Sequence, residues 1–340
     1  MSLTRRTTEE SGAADEPDRR PGGGTGRALV VIVLVMVGAM VPLFGPRAAL
    51  DGTGEAAVPG GGGIGLLRAV LLAALCVPAG ELFAAWLGRR VPGAPSEAPR
   101  SWAPWAAAAG FGAALGLASV VATGNLVPDS PADMDIGGLY ETRDGRLALL
   151  EVNAFAAAGL LALSRRPAAQ ALPLGAVAIA EALRAHPTTE YGPLVGSGLT
   201  LVHLTCGALW AGGLLHVLRT LGTRAWRTET AGAALLGLYA RVAAILLAAV
   251  TATGMWSTLR RMPPGTAPAQ LTETAYGRVL LAKVLLVAAV AVLALWARRR
   301  LRRAGDPLGA CAVARAEVVV LGMVVAVSAL LTALPVPIRW

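Results

Sequence analysis

Ile64-Gly-Leu-Leu-Arg68-Ala-Val-Leu-Leu-Ala-Ala-Leu-Cys76-Val-Pro78-Ala-Gly-Glu81-Leu-Phe-Ala-Ala-Trp86-Leu-Gly88 decides the fold class. It is too long and too apolar for a helix lying on a soluble core, and it matches the ~20 residues that cross ~30 Å of hydrocarbon. Similar runs recur at 28–45, 103–127, 147–164, 168–184, 194–218, 231–258, 275–297 and 310–334. The chain therefore reads as an all-α, polytopic transmembrane bundle of about nine spans. Runs 147–164 and 168–184 are at the short limit. They are joined only by Ser164-Arg165-Arg166-Pro167, which reads as a tight helical hairpin.

Composition agrees. Of 340 residues, 55% are hydrophobic and only 15% charged, where a soluble domain carries about a quarter. Mean hydropathy is +0.60. Ala, Leu, Val and Gly supply the apolar bulk, and small residues let helices approach closely in lipid. The net charge of +9 would suggest nucleic acid in a soluble protein. Here the basic residues sit in short loops, where they set topology, so nucleic acid is not an expected partner and the bilayer is.

The N-terminal segment 1–26 is polar, Gly-rich and of mixed charge, as expected of a disordered cytoplasmic tail. The run that follows lacks a convincing small-x-small cleavage site and reads as a retained first helix. With the N-terminus inside, the inner loops hold Arg89, Arg90, Arg100, Arg165, Arg166, Arg219, Arg224, Arg227 and the cluster Arg298 to Arg303. The outer side holds only Arg47, Arg143, Arg146, Arg184, Arg260, Arg261 and Arg339. That bias orients the chain N-terminus in and C-terminus out. Helices one to five occupy 27–184, and helices six to nine occupy 185–340. No Walker A, GxGxxG, HExxH or GxSxG motif is present, so the chain does not read as an enzyme.

Ionisable groups inside spans are costly and mark function or pairing. An outer layer holds Glu151, Glu181, His203 and Lys283, and an inner layer holds Glu81, Arg241, Arg315 and Glu317. His203 and Lys283 lie ~12–14 Å below the outer face at 1.5 Å per residue, so the two could line one pocket. His203 and Cys206 share a helix face. Imidazole and thiolate suit copper, and soft sulfur favours Cu(I). Two ligands do not define a site, and the ordinary reading is a hydrogen-bonding histidine beside a packing cysteine. His186, in the outer loop, reads alone as an exposed residue that could hand a metal to His203. Met255 and Met134 are outer-side thioethers, though Met in an apolar helix is most often filler. Lys283 is the single lysine; by depth its partner would be Glu151 or Glu181. Arg241 with Glu81 or Glu317 reads as a structural pair. His216 is thirteen residues from His203, ~20 Å away on another face. The three cysteines all fall in apolar runs, so no disulfide framework is expected.

Three stretches resemble the CopD family of bacterial inner-membrane copper proteins. They are His203-Leu-Thr-Cys206-Gly-Ala-Leu-Trp210-Ala-Gly212-Gly213, Tyr239-Ala-Arg241 with Thr253-Gly254, and Thr274-Ala-Tyr276-Gly277-Arg278-Val-Leu-Leu-Ala-Lys283 followed by Arg298–Leu301. The resemblance covers roughly 185–334. It implies copper import or transfer across the bacterial cytoplasmic membrane. His203, His186, Cys206 and Met255 would be the candidate metal ligands, and Lys283, Glu151, Glu181, Trp210 and Tyr276 the polar pathway. Gly212 and Gly213 would be points of close helix packing. The family's copper-binding CopC-like β-domain is not fused here, so a separate periplasmic partner is expected. Two other readings remain open. One is a b-type haem electron-transfer protein, restricted to one haem because only three histidines exist. The other is a copper-delivery or assembly partner without transport.

Overall fold

The structure is a computed structural model. It describes residues 23–128, 130–186, 192–227, 229–262, 265–303 and 310–334. Residues 1–22 of the expected tail therefore lie outside the described residues, as do Arg339 and the side chain of Cys311. Eleven α-helices and no strands occur among the described residues. In chain order they are α1 (Gly23–Leu50), α2 (Gly61–Gly88), α3 (Ala103–Ala122), α4 (Ile136–Glu141), α5 (Arg143–Leu163), α6 (Ala171–Arg184), α7 (Pro193–Leu221), α8 (Glu229–Arg261), α9 (Ala267–Glu273), α10 (Ala275–Arg303) and α11 (Ala310–Thr332). Helices satisfy every internal backbone group within the segment, which is why apolar runs in lipid adopt them.

The chain packs as two units, residues 1–37 and 38–340. In the first, the described residues belong to α1 and expose Leu29, Ile32, Val33 and Val35. The second unit holds all the other helices. Eight helices are long and apolar enough to cross a membrane among the described residues: α1, α2, α3, α5, α7, α8, α10 and α11. The expected span at 168–184 resolves into a 3-10 turn, Pro167–Gln170, and the 14-residue α6. At ~2.0 Å per residue for the turn and ~1.5 Å for the helix, the two together reach ~29 Å. Arg143 at the start of α5 donates from Nη2 to the carbonyl of Leu183 at the end of α6, at 2.8 Å. The two ends are therefore level, and α6 returns the chain to the side from which α5 set out.

Local signals set the helix starts. Gly60 takes φ 69° before α2, a left-handed conformation that costs glycine little. Thr142 caps α5 by accepting from the Gly145 N–H. Gly192 at φ 67° precedes Pro193 at the first turn of α7.

Helix α7 lies between two apolar clusters. On one side Leu71, Phe155, Val177 and Ala208 join α2, α5, α6 and α7. On the other Trp210, Leu214, Leu235, Tyr239 and Leu321 join α7, α8 and α11. Close approach depends on glycine. A Cβ on Gly212 would lie 1.8 Å from the Cys76 carbonyl oxygen, and one on Gly80 would lie 2.0 Å from the Gly212 carbonyl carbon. Gly213 likewise meets the ring of Phe83. These contacts match the expectation of close packing at Gly212 and Gly213, and they set α2 against α7.

Candidate functional site

His203 projects from α7 onto α8. Its Nδ1 lies 3.1 Å from Thr253 Oγ1, and its ring rests on Gly254, where a Cβ would approach Cε1 to 3.3 Å. The Thr253 hydroxyl has one hydrogen, and that hydrogen is directed to its own helix, to Ala249 O at 2.6 Å. Thr253 Oγ1 must therefore accept from His203, so Nδ1 carries the hydrogen. Nε2 then presents its lone pair. A ligating histidine is oriented in just this way, with the second nitrogen held by an outer partner. Thr253 was quoted in the sequence only for resemblance. Its role follows from the packing of α7 on α8.

Lys283 on α10 is half-buried and close enough for its charge to act on the His203 ring. Among the described residues it has neither a hydrogen bond nor an ion pair. The carboxylates expected to pair with it are occupied elsewhere. Glu151 Oε2 lies 2.9 Å from Arg184 Nη2, and Glu181 pairs with Arg68 of α2 and with Arg184. These four charges form one buried cluster between α2, α5 and α6. Charges at membrane depth persist when paired in this way.

His186 is not the exposed loop residue its position suggested. It is 2% exposed, with Nε2 2.9 Å from Thr200 Oγ1 of α7 and its ring against Gly196. Thr200 and His203 are one turn apart on α7, so a polar row leads from the segment before α7 to His203. Cys206 is half-buried and packs against the apolar cluster around Trp210. Met255 is 63% exposed on the outer surface of α8. Met134 is half-buried in the loop before α4. Among the described residues no three His, Cys, Asp or Glu side chains converge as a metal site.

Tyr276 is buried at the start of α10. Beside it Gly277 packs so tightly on α9 that a Cβ would lie 1.9 Å from Gln270 O. Trp210 lines an inner cavity together with Glu317 and Tyr239. The inner-layer pairs differ from expectation. Arg241 is exposed and bonds Gly237 of its own helix. Glu81 is instead taken up by Arg219 at 3.2 Å, by Ser101 at 2.6 Å and by the Trp102 N–H at 2.6 Å. His216, thirteen residues beyond His203, is buried beside Glu81 at 3.8 Å. Rotation about each helix axis decides which charges meet, and the apolar pattern alone does not report it.

Helices α8 to α11 carry the remaining comparison. Residues 233–331 match the CopD family, Copper resistance protein D. The match spans under a third of the chain. It contains two of the three resembling stretches, with Thr253, Gly254, Tyr276 and Lys283, and stops short of α7. His203, Cys206 and Trp210 thus lie outside the CopD segment, while His203 leans on Thr253 and Gly254 within it. No curated protein and no solved structure matches the chain.

Proposed function

We propose that this chain carries copper across the bacterial cytoplasmic membrane, taking it inward from the outer face at His203. One observation carries the reading: His203 Nδ1 meets Thr253 of the CopD segment, and a histidine that donates there keeps its Nε2 lone pair for a ligand. Imidazole is a good copper ligand, and a copper-resistance family supplies the substrate class. His186 and Thr200 form the outer approach. Cys206, one turn below His203, is the nearest soft donor along α7. Copper is substrate in this reading and is passed on, so a sparse ligand set suits it. A separate extracytoplasmic copper-binding protein of the CopC kind would deliver it.

The test is copper uptake into proteoliposomes containing only this chain, together with metal content of the purified protein. Wild type is expected to bind and admit copper, and His203→Ala to lose both. Unchanged binding and uptake in His203→Ala would overturn the site. A Soret band in the purified wild type would replace copper with haem.

A further inference from the structure

A cavity of ≈ 90 Å³ opens between α7, α8, α10 and α11, in the half of the bundle that the arginine bias places inside. Most of its wall is alanine and leucine. The polar exceptions are Trp210, Tyr239, Glu317 and, at the inner end of α10, Arg298. Glu317 is 4% exposed. Among the described residues it makes no ion pair.

Its surroundings among the described residues give it no hydrogen-bond partner. Trp210 of α7 lines the same cavity, but its indole Nε1–H is buried and meets no acceptor. Tyr239 on α8 is close, but its hydroxyl hydrogen is committed to Trp210 O at 2.7 Å. On α10 the charged group at the cavity is Arg298. The ionised residues of α2, which also packs on α11, are engaged elsewhere: Glu81 by Arg219 and Arg68 by Glu181. Ala49 of α1 shares an apolar cluster with Val327 and Leu330 of α11. A carboxylate with no donor in an apolar wall is costly as a bare anion, so it holds a proton or a cation. Soft Cu(I) prefers nitrogen and sulfur to a carboxylate, whereas a proton suits the oxygen. A water needs about 10–15 Å³ of such space, so the cavity has room for water beside the carboxyl, and Arg298 lines the same cavity.

We propose that Glu317 is a proton-binding carboxyl that exchanges its proton with the inner aqueous phase through this cavity. On release the proton passes to water in the cavity and the carboxylate remains in the cavity wall. On uptake the same bond re-forms, with no other reactant. Intramembrane carboxyls in hydrated cavities are the usual elements of proton relays.

The first experiment is infrared titration of the reconstituted full chain in H2O and D2O. Wild type is expected to show a protonated carboxyl C=O band that shifts in D2O and disappears as pH rises. Glu317→Gln should lack it, and Glu317→Asp should retain a displaced band. No titrating band in wild type, or the same band in Glu317→Gln, would overturn the proposal. The second experiment keeps Glu317 intact. In a Cys76→Ala, Cys206→Ala, Cys311→Ala background, Ala314→Cys places a thiol on the cavity wall at a position 3% exposed. A membrane-impermeant maleimide should label it from the inner face only. Failure to label, or labelling only from outside, would also overturn it. Neither readout contains copper, so failure of the copper reading leaves both results standing.

Discussion

At the scale of single residues, the His203 and Thr253 pair makes the sharpest predictions. If the threonine holds the imidazole, Thr253→Val should weaken copper binding roughly 10- to 100-fold, the usual effect of removing an outer-shell partner. Thr253→Ser, which keeps the acceptor, should stay near wild type. Titration of the purified variants against a chromogenic Cu(I) chelator measures both. Lys283 acts in the opposite sense. Its uncompensated charge near His203 opposes an arriving cation. Lys283→Gln should therefore tighten copper binding roughly tenfold in the same titration. Looser binding would mean that the ammonium positions the site instead of opposing the ion. His203 and Lys283 were legible because intramembrane ionisable groups are few. Thr253 was not, because a threonine in an apolar helix has no signal of its own until a neighbouring helix brings a ring to it.

At the scale of helices, the bundle depends on where backbones touch. Gly212 of α7 lies against Cys76 and Gly80 of α2 with no room for a methyl group. Gly207, also on α7, has nothing within 4 Å of a built Cβ. Gly212→Ala should therefore force α2 and α7 apart and cost about 1–3 kcal/mol, the range for overpacking. Gly207→Ala should be neutral or stabilising by up to about 1 kcal/mol, the helix-propensity difference. Thermal unfolding of both in detergent separates them. Equal effects would mean that glycine acts through propensity and not through close approach. Helix α6 illustrates a second element-level effect. Its run was read as a short span, and the structure divides it into a 3-10 turn and 14 helical residues. Its polar end is held by Arg184 and Glu151 in place of a longer apolar stretch.

At the scale of the whole molecule, topology is the testable property. If α6 carries the chain back across, Ser164 at the end of α5 and Leu194 at the start of α7 lie on opposite faces. Leu194 is 81% exposed and Ser164 is exposed as well. In a cysteine-free background in oriented vesicles, Ser164→Cys should react with an impermeant maleimide from inside and Leu194→Cys from outside. Labelling of both from one face would show that α6 does not cross and would reverse the side assigned to every later loop. The Arg298 to Arg303 cluster gives an independent expectation of an inner loop there.

The sequence alone determined that this is a helical membrane bundle, and its arginine bias supplied an expected orientation. Both follow from local properties: backbone groups must be satisfied within each segment, and charge near a span end biases its side. It also marked His203, Lys283, Glu151, Glu181 and Glu317 as unusual for their depth. Only the tertiary structure decided their company. Glu181 met Arg68 and not Lys283, His186 was buried on Gly196 and Thr200, and Glu317 faced a cavity in place of Arg241. The reason is physical. Lipid is as apolar as leucine, so helix rotation and neighbour choice come from close packing and polar contacts. Gly80, Gly212 and Gly254 permit those contacts, but only in the assembled bundle is it clear which helix each of them faces.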